Sequence, residues 1–127
     1  MKNLKDLFVS KEISVKLKEK GFNEPCMAVY RNNDLYFDTV MSGYASDISD
    51  FSSNESLNDN SNYWISAPLY SQVEEWIFKN HALLISHRAI NKEEMFYSLF
   101  EFNEDGRNCL MNVSTIEKVV LEVLKLI

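Results

Sequence analysis

Residues 67–90, APLYSQVEEWIFKNHALLISHRAI, constrain this chain more than any other stretch. Proline is tolerated in a first helical turn, where its missing N–H would have no partner. Two helix starts fit. Ser66 or Ala67 caps just before Pro68, or Ser71-Gln72-Val73-Glu74 acts as a capping box. Leu69, Val73, Trp76, Ile77 and Phe78 fall on or near one face at helical spacing, with Glu74, Glu75 and Lys79 mostly opposite. Asn80 and His81 mark the end, since Asn tolerates left-handed geometry and a late His complements the helix dipole. Ala82–Ile90 is rich in branched apolar residues and too short for another helix, which predicts a strand. Trp76 is the expected core anchor, because an indole buries enough area to dominate a small core.

A chain of 127 residues with 46% hydrophobic and 13% aromatic residues can build a real core, and its length predicts a single domain over residues 1–127. Its net charge of −6 argues against direct nucleic-acid binding, which needs clustered Lys and Arg. No apolar run approaches the length of a membrane span, and MKNLKDLFVSKE has no apolar core of a signal peptide. Two cysteines, Cys26 and Cys109, fit a cytoplasmic protein with reduced thiols; a single disulfide stays open, because sequence does not place their Cα atoms.

Leu4, Leu7 and Phe8 form a helical turn or an arm laid on the core. Val9–Gly21 predicts a helix capped by Ser10. Gly21 takes the left-handed position at its end and Phe22 folds back onto Leu17. Only Ile13 and Leu17 make a clear apolar line, with Val15 off it. After Glu24-Pro25, Cys26–Tyr30 and Leu35–Val40 form a hairpin around Arg31-Asn32-Asn33-Asp34, with Tyr30, Tyr36 and Phe37 placed to pair across it. Residues 41–62 are rich in Ser, Asn and Asp, carry Asp47, Asp50, Glu55 and Asp59, and contain no Lys or Arg. They read as an acidic, mobile loop. Met95–Phe102 is a strand, Asp105-Gly106 a turn, and Cys109–Val113 a short third strand. Ser114-Thr115-Ile116-Glu117 fits a capping box for a last helix to Ile127, whose Leu121 lies at the edge of the apolar face, packing there or joining a homodimer contact. The expected fold is α+β, a small mostly antiparallel sheet packed with three helices in the order α-β-β-loop-α-β-β-(β)-α.

Val9–Cys26, ending Lys20-Gly21-Phe22-Asn23-Glu24-Pro25-Cys26, and Ala67–Trp76, with Pro68, Tyr70, Gln72, Val73 and Trp76, resemble a group of small uncharacterised proteins. Those occur in Bacteroides-type bacteria, prophages and mobile elements. The group shows a KGF-E-P-C helix end and a Pro-x-Tyr-x-Gln-Val-x-x-Trp helix. Glu101–Val113 and the Ser/Asp loop depart from it. The resemblance implies a bacterial or phage setting and no activity.

No chemical motif stands out. Cys26 with His81 or His87 would make a thiolate–imidazole pair only if folding brought them together; the bland reading is a buried Cys, a helix-end His81 and a strand His87. Neither Cys has a neighbour at zinc-ligand spacing, no calcium-loop pattern is present, and three glycines (Gly21, Gly43, Gly106) make no phosphate loop. No cofactor is expected. Glu74-Glu75 and Glu93-Glu94 are adjacent pairs that point apart, and the lysines of the first twenty residues read as a solvated face. The aromatic load is the one surplus, and Tyr44, Phe51, Tyr63 and Trp64 are the expected interaction surface, because Tyr and Trp give large contact area at low entropy cost. Three functions follow in order: a non-enzymatic accessory protein that binds a protein partner, a nucleic-acid-associated or phosphate-mimicking anti-host factor, and an enzyme with scattered catalytic residues.

Overall fold

Ser10 is extended and its side chain accepts the Ile13 N–H at 3.3 Å, so helix α1 runs Lys11–Glu19 from a serine cap. Its far end closes as the Gly-Phe pair predicts. Gly21 takes φ +91°, its N–H donates to the Lys18 carbonyl (3.1 Å), and the Phe22 N–H donates to the Leu17 carbonyl (2.9 Å). That is a Schellman ending, sealed by burial of both Leu17 and Phe22. The structure, a computed structural model, describes residues 4–37 and 52–127. Residues 1–70 and 71–127 form two compact units. The α+β class is as expected, but the strands sort into two antiparallel sheets of three, one in each unit.

In the first unit, β1 (Ala28–Arg31) is central, flanked by β2 (Asp34–Phe37) and β3 (Trp64–Ala67). The β1–β2 turn has two residues, and Asn32 takes φ +57°, which Asn tolerates. Tyr30 does not pair with Tyr36 or Phe37 as expected. It stands opposite Leu35, while Tyr36 faces Val29 and Phe37 faces Ala28. Period-2 alternation sends Tyr30 to the core face and Tyr36 to the other. Ala28, Tyr30, Ile65, Ala67 and Phe8 form the buried cluster, ringed by Val15, Met27, Leu35 and Leu69. Tyr30 donates its hydroxyl to the Val9 carbonyl at 2.7 Å, and burial pushes its pKa up. Of the N-terminal apolar cluster only Phe8 is buried, bridged to Leu69; Leu4 and Leu7 are exposed on a 3-10 turn.

Strand β3 and the short helix α2 (Asn54–Leu57) were not expected. Residues 41–51 of the acidic stretch lie outside the described residues, as do Val40, Tyr44, Ile48 and Phe51. From Ser52 onward the chain is tied to the segment after α1. The Cys26 N–H donates to the Ser52 carbonyl (2.9 Å), Asn23 and Glu55 exchange two hydrogen bonds (2.7 and 2.9 Å), and Asn54 donates to the Phe22 carbonyl (2.9 Å). Asn54 also accepts the Ser66 N–H of β3 at 3.0 Å. Ser53 and Ser56 make a reciprocal capping box.

The second unit holds the order β4-β5-β6, with β4 Leu83–Ala89, β5 Met95–Asn103 and β6 Gly106–Val113. Helix α3, Tyr70–His81, starts between the two expected caps: Ser66, Ala67 and Pro68 precede it and Ser71 lies inside it. Its apolar face is otherwise as read, with Val73, Trp76 and Ile77 buried and Phe78 exposed. Tyr97, Ser98, Leu99 and Phe100 are buried in succession, so the centre of β5 is covered on both faces. Between Leu99 and Phe100 the pairing to β6 slips, and Leu110 is the extra, exposed residue of a bulge. Helix α4, Ile116–Leu126, packs on β5 and β6 through Val119, Val120, Val123 and Leu124. Its cap is Thr115, which accepts the Lys118 N–H at 3.2 Å, one residue later than the expected Ser114. Leu121 is half-buried at the edge of that face.

The turn from α3 to β4 is made by Ala82 at φ +55°, not by Asn80 or His81. A Cβ in the left-handed region is strained. Ala82→Gly is therefore expected to raise the unfolding free energy by about 0.5–1 kcal/mol. Urea denaturation at constant m-value measures this; an unchanged or lowered midpoint contradicts it.

Candidate functional site

Of the four expected surface aromatics, Tyr44 and Phe51 lie outside the described residues. Tyr63 and Trp64 are adjacent and exposed, at 44% and 39%, with rings edge to face at 6.1 Å. What organises them is β3, because its register sets Trp64 directly opposite Arg31 of β1. The Arg31 guanidinium lies 5.8 Å from the Trp64 ring centre, and its Nε donates to the Tyr63 hydroxyl at 3.3 Å. That hydrogen bond, more than any other cause, pushes the Arg31 pKa up. Tyr36, 46% exposed and opposite Val29, stands on the same face two residues along.

Val29, Arg31, Tyr36 and Trp64 thus share the sheet face turned away from the buried cluster. With Leu57 of α2 they line a groove of about 310 Å³, at the lower end of the roughly 300–1,000 Å³ of small-ligand pockets. Its described lining also includes Phe37 and Ser52, and is mainly apolar and aromatic with Arg31 as the one cation. Asp34, opposite Arg31 on β2, is the nearest carboxylate in register, and among the described residues no carboxylate forms an ion pair with Arg31. Among the groove's described lining residues there is no Cys, His, Lys, Asp or Glu.

The loop that delivers Tyr63 and Trp64 is pinned by groups that sequence reading left to solvent. The Asp59 carboxylate accepts the Ser61 N–H (2.9 Å), the Ser61 hydroxyl (2.6 Å) and the Trp64 N–H (2.8 Å). Lys18 reaches the Asp59 carbonyl and the Asn62 side chain (3.0 Å). Lys11 reaches the Asn32 carbonyl (2.5 Å) and the Asn62 carbonyl (2.6 Å), and partial burial draws its pKa down. The two lysines stand seven residues apart, hence on one face of α1. They therefore brace the loop. A Ser-x-x-Ser box at Ser53 and the Asp-x-Ser turn at Asp59 were the local signals available for this part of the chain.

Donation by the Ser61 hydroxyl, then by the Trp64 and Ser61 amides, holds the Asp59 carboxyl at about 2, below its ordinary 3.8. A carboxyl whose folded pKa is depressed stabilises the fold fully above its unfolded pKa and loses that contribution as pH falls through the folded value. The stability difference between the wild type and Asp59→Asn is therefore expected to be largest above about pH 4 and to shrink between about pH 4 and pH 2. Paired urea titrations from pH 5 to pH 2 check this. A difference that stays constant across that window rules the linkage out.

The cysteines and histidines make local contacts. Cys26 is buried and donates to the Glu24 carbonyl at 3.3 Å; Cys109 is exposed, and no disulfide joins the two. The His81 ring sits edge-on to Trp76 at 5.3 Å. His87 pairs with Glu74 and meets the Tyr97 ring at 5.0 Å. Glu75 binds Lys79 at 2.7 Å. Among the described residues no three His, Cys, Asp or Glu side chains converge as a metal site would require, and no helix is long and apolar enough to cross a membrane. Compared with known proteins, the chain matches no family model, no curated protein and no solved structure.

Proposed function

We propose that this protein is a non-enzymatic binding module whose outer β2-β1-β3 face receives a segment of a protein partner. The observation that carries the reading is the Arg31 guanidinium set over the Trp64 ring beside Tyr36, at a largely apolar groove whose described lining holds no Cys, His or carboxylate. Exposed Trp, Tyr and Arg around a shallow depression are the residue types that dominate binding energy at protein interfaces. The phosphate-mimicking alternative has less support. Asp59 is spent on its own loop and Glu55 on Asn23, so neither offers a free carboxylate. A bacterial or mobile-element setting, as the resemblance of Val9–Cys26 and Ala67–Trp76 implies, and a cytoplasmic one, as the two cysteines suggest, belong to this proposal.

Selection of linear peptides on the folded protein tests the reading. Binders are expected to lose at least tenfold in affinity to a Tyr36→Ala/Trp64→Ala double variant whose melting temperature is preserved. Binders indifferent to both substitutions would place recognition elsewhere and end the proposal.

A further inference from the structure

Resting on that reading, we infer that the groove selects a segment in which a carboxylate stands next to an apolar side chain, Arg31 taking the carboxylate and Val29, Tyr36, Leu57 and Trp64 enclosing the apolar group. Three observations converge. First, Arg31 is already oriented. Its Nε donates to the Tyr63 hydroxyl at 3.3 Å and its Cζ lies 5.8 Å from the Trp64 ring centre, so part of the conformational freedom lost on pairing is already spent. Secondly, it is exposed and in no ion pair with a described carboxylate. With only its Nε engaged by a described residue, the guanidinium still has terminal N–H groups in the fork geometry that matches a carboxylate. Thirdly, apart from Ser52 the described lining beside it is apolar or aromatic, and the volume of about 310 Å³ suits one or two side chains, not a long chain of subsites.

Charge complementarity decides the occupant. The chain as a whole carries −6, so an acidic segment gains nothing from the general field and is drawn only to the local cation. A basic segment would be favoured by the overall field but would meet Arg31 at the point of contact. A neutral apolar segment would leave the guanidinium partly desolvated without a partner. An aromatic platform with an arginine also suits single-stranded nucleic acid, which stacks bases on such rings; with Arg31 the one cation among the described groove residues, on a chain of net charge −6, that occupant is disfavoured.

The test uses the intact ¹⁵N-labelled protein and three probes: an acetylated, amidated hexapeptide with a central Phe-Asp, the same peptide with Phe-Asn, and an oligouridine octamer. The chain has two tryptophans, exposed Trp64 and buried Trp76, so one indole resonance reports the groove and the other serves as a control. The Phe-Asp peptide is expected to shift the Trp64 indole and leave Trp76 in place. It should bind about tenfold or more tightly than the Phe-Asn peptide and weaken as salt is raised, because charge-assisted hydrogen bonds of this kind are worth about that factor. Arg31→Gln should abolish the difference between the two peptides. Arg31→Lys, which keeps the charge but not the fork, should recover only part of it. Equal binding of both peptides at Trp64 would overturn the carboxylate preference while leaving the docking face standing. A stronger response to oligouridine would overturn it in favour of a nucleic acid. Absence of any Trp64 response to all three probes would overturn it together with the proposed docking face.

Discussion

Trp76→Ala is expected to lower the unfolding free energy by about 3–5 kcal/mol, the largest single effect in this chain. The indole is 8% exposed, with Val73 and Ile77 fully buried one turn before it and beside it on the same helical face. Truncation removes the transfer free energy of a large aromatic and leaves a cavity that close-packed neighbours refill only in part. It also removes the edge contact that holds the His81 ring at 5.3 Å, at the last residue of α3. Domains of this size are stable by roughly 5–15 kcal/mol, so the variant should melt many degrees lower or fail to fold at ordinary temperature. Trp76→Phe should recover more than half of the loss, since most of the buried area returns. Urea unfolding followed by far-ultraviolet circular dichroism measures both. A loss below about 1 kcal/mol would mean that the ring anchors nothing.

Asn54→Ala is expected to cost about 2–4 kcal/mol, more than an ordinary surface asparagine by an order of magnitude. One buried carboxamide serves two backbone groups from distant segments. Its amide donates to the Phe22 carbonyl at 2.9 Å, and its oxygen accepts the Ser66 N–H at 3.0 Å. Removing the side chain leaves a buried acceptor and a buried donor without this partner, each carrying a desolvation penalty. Asn54→Asp keeps the acceptor for Ser66 but sets a carboxylate against the Phe22 carbonyl, so it should not rescue. Hydrogen exchange gives the specific readout: protection of the Ser66 amide should fall far more than that of the Tyr30 amide in β1. Uniform loss of protection, or none, would mean that Asn54 is not a cross-link. Because Ser66 lies two residues from Trp64, the same variant should loosen the groove wall.

What could be read from sequence and what could not divides along physical lines. The ends of α1 were legible because capping is local: Ser10, Gly21 and Phe22 act within one turn of their own backbone. The α4 cap slipped by one residue because Ser114 and Thr115 are equally good acceptors and only the path of the chain chooses between them. The Ala82 turn was hidden because no propensity favours alanine at positive φ; the strand that follows imposes it. Tyr63 and Trp64 were legible as surplus aromatics, but Arg31 was not, since its place beside Trp64 exists only through β-pairing across 33 positions of sequence.

By itself the amino-acid order determined the α+β class, the helix faces carrying Ile13 and Leu17, Val73 and Trp76, and Val119, Val120, Val123 and Leu124, and the net charge of −6. Those properties follow from periodicity, capping and charge, which act over one or two turns of chain. Only the tertiary structure decided that the strands make two sheets, that Lys11, Lys18, Asn54 and Asp59 brace one loop, and that Arg31, Tyr36 and Trp64 share a face. The reason is that strand register and side-chain cross-links join residues far apart in sequence, and no local preference records which distant partner a hydrogen bond will find.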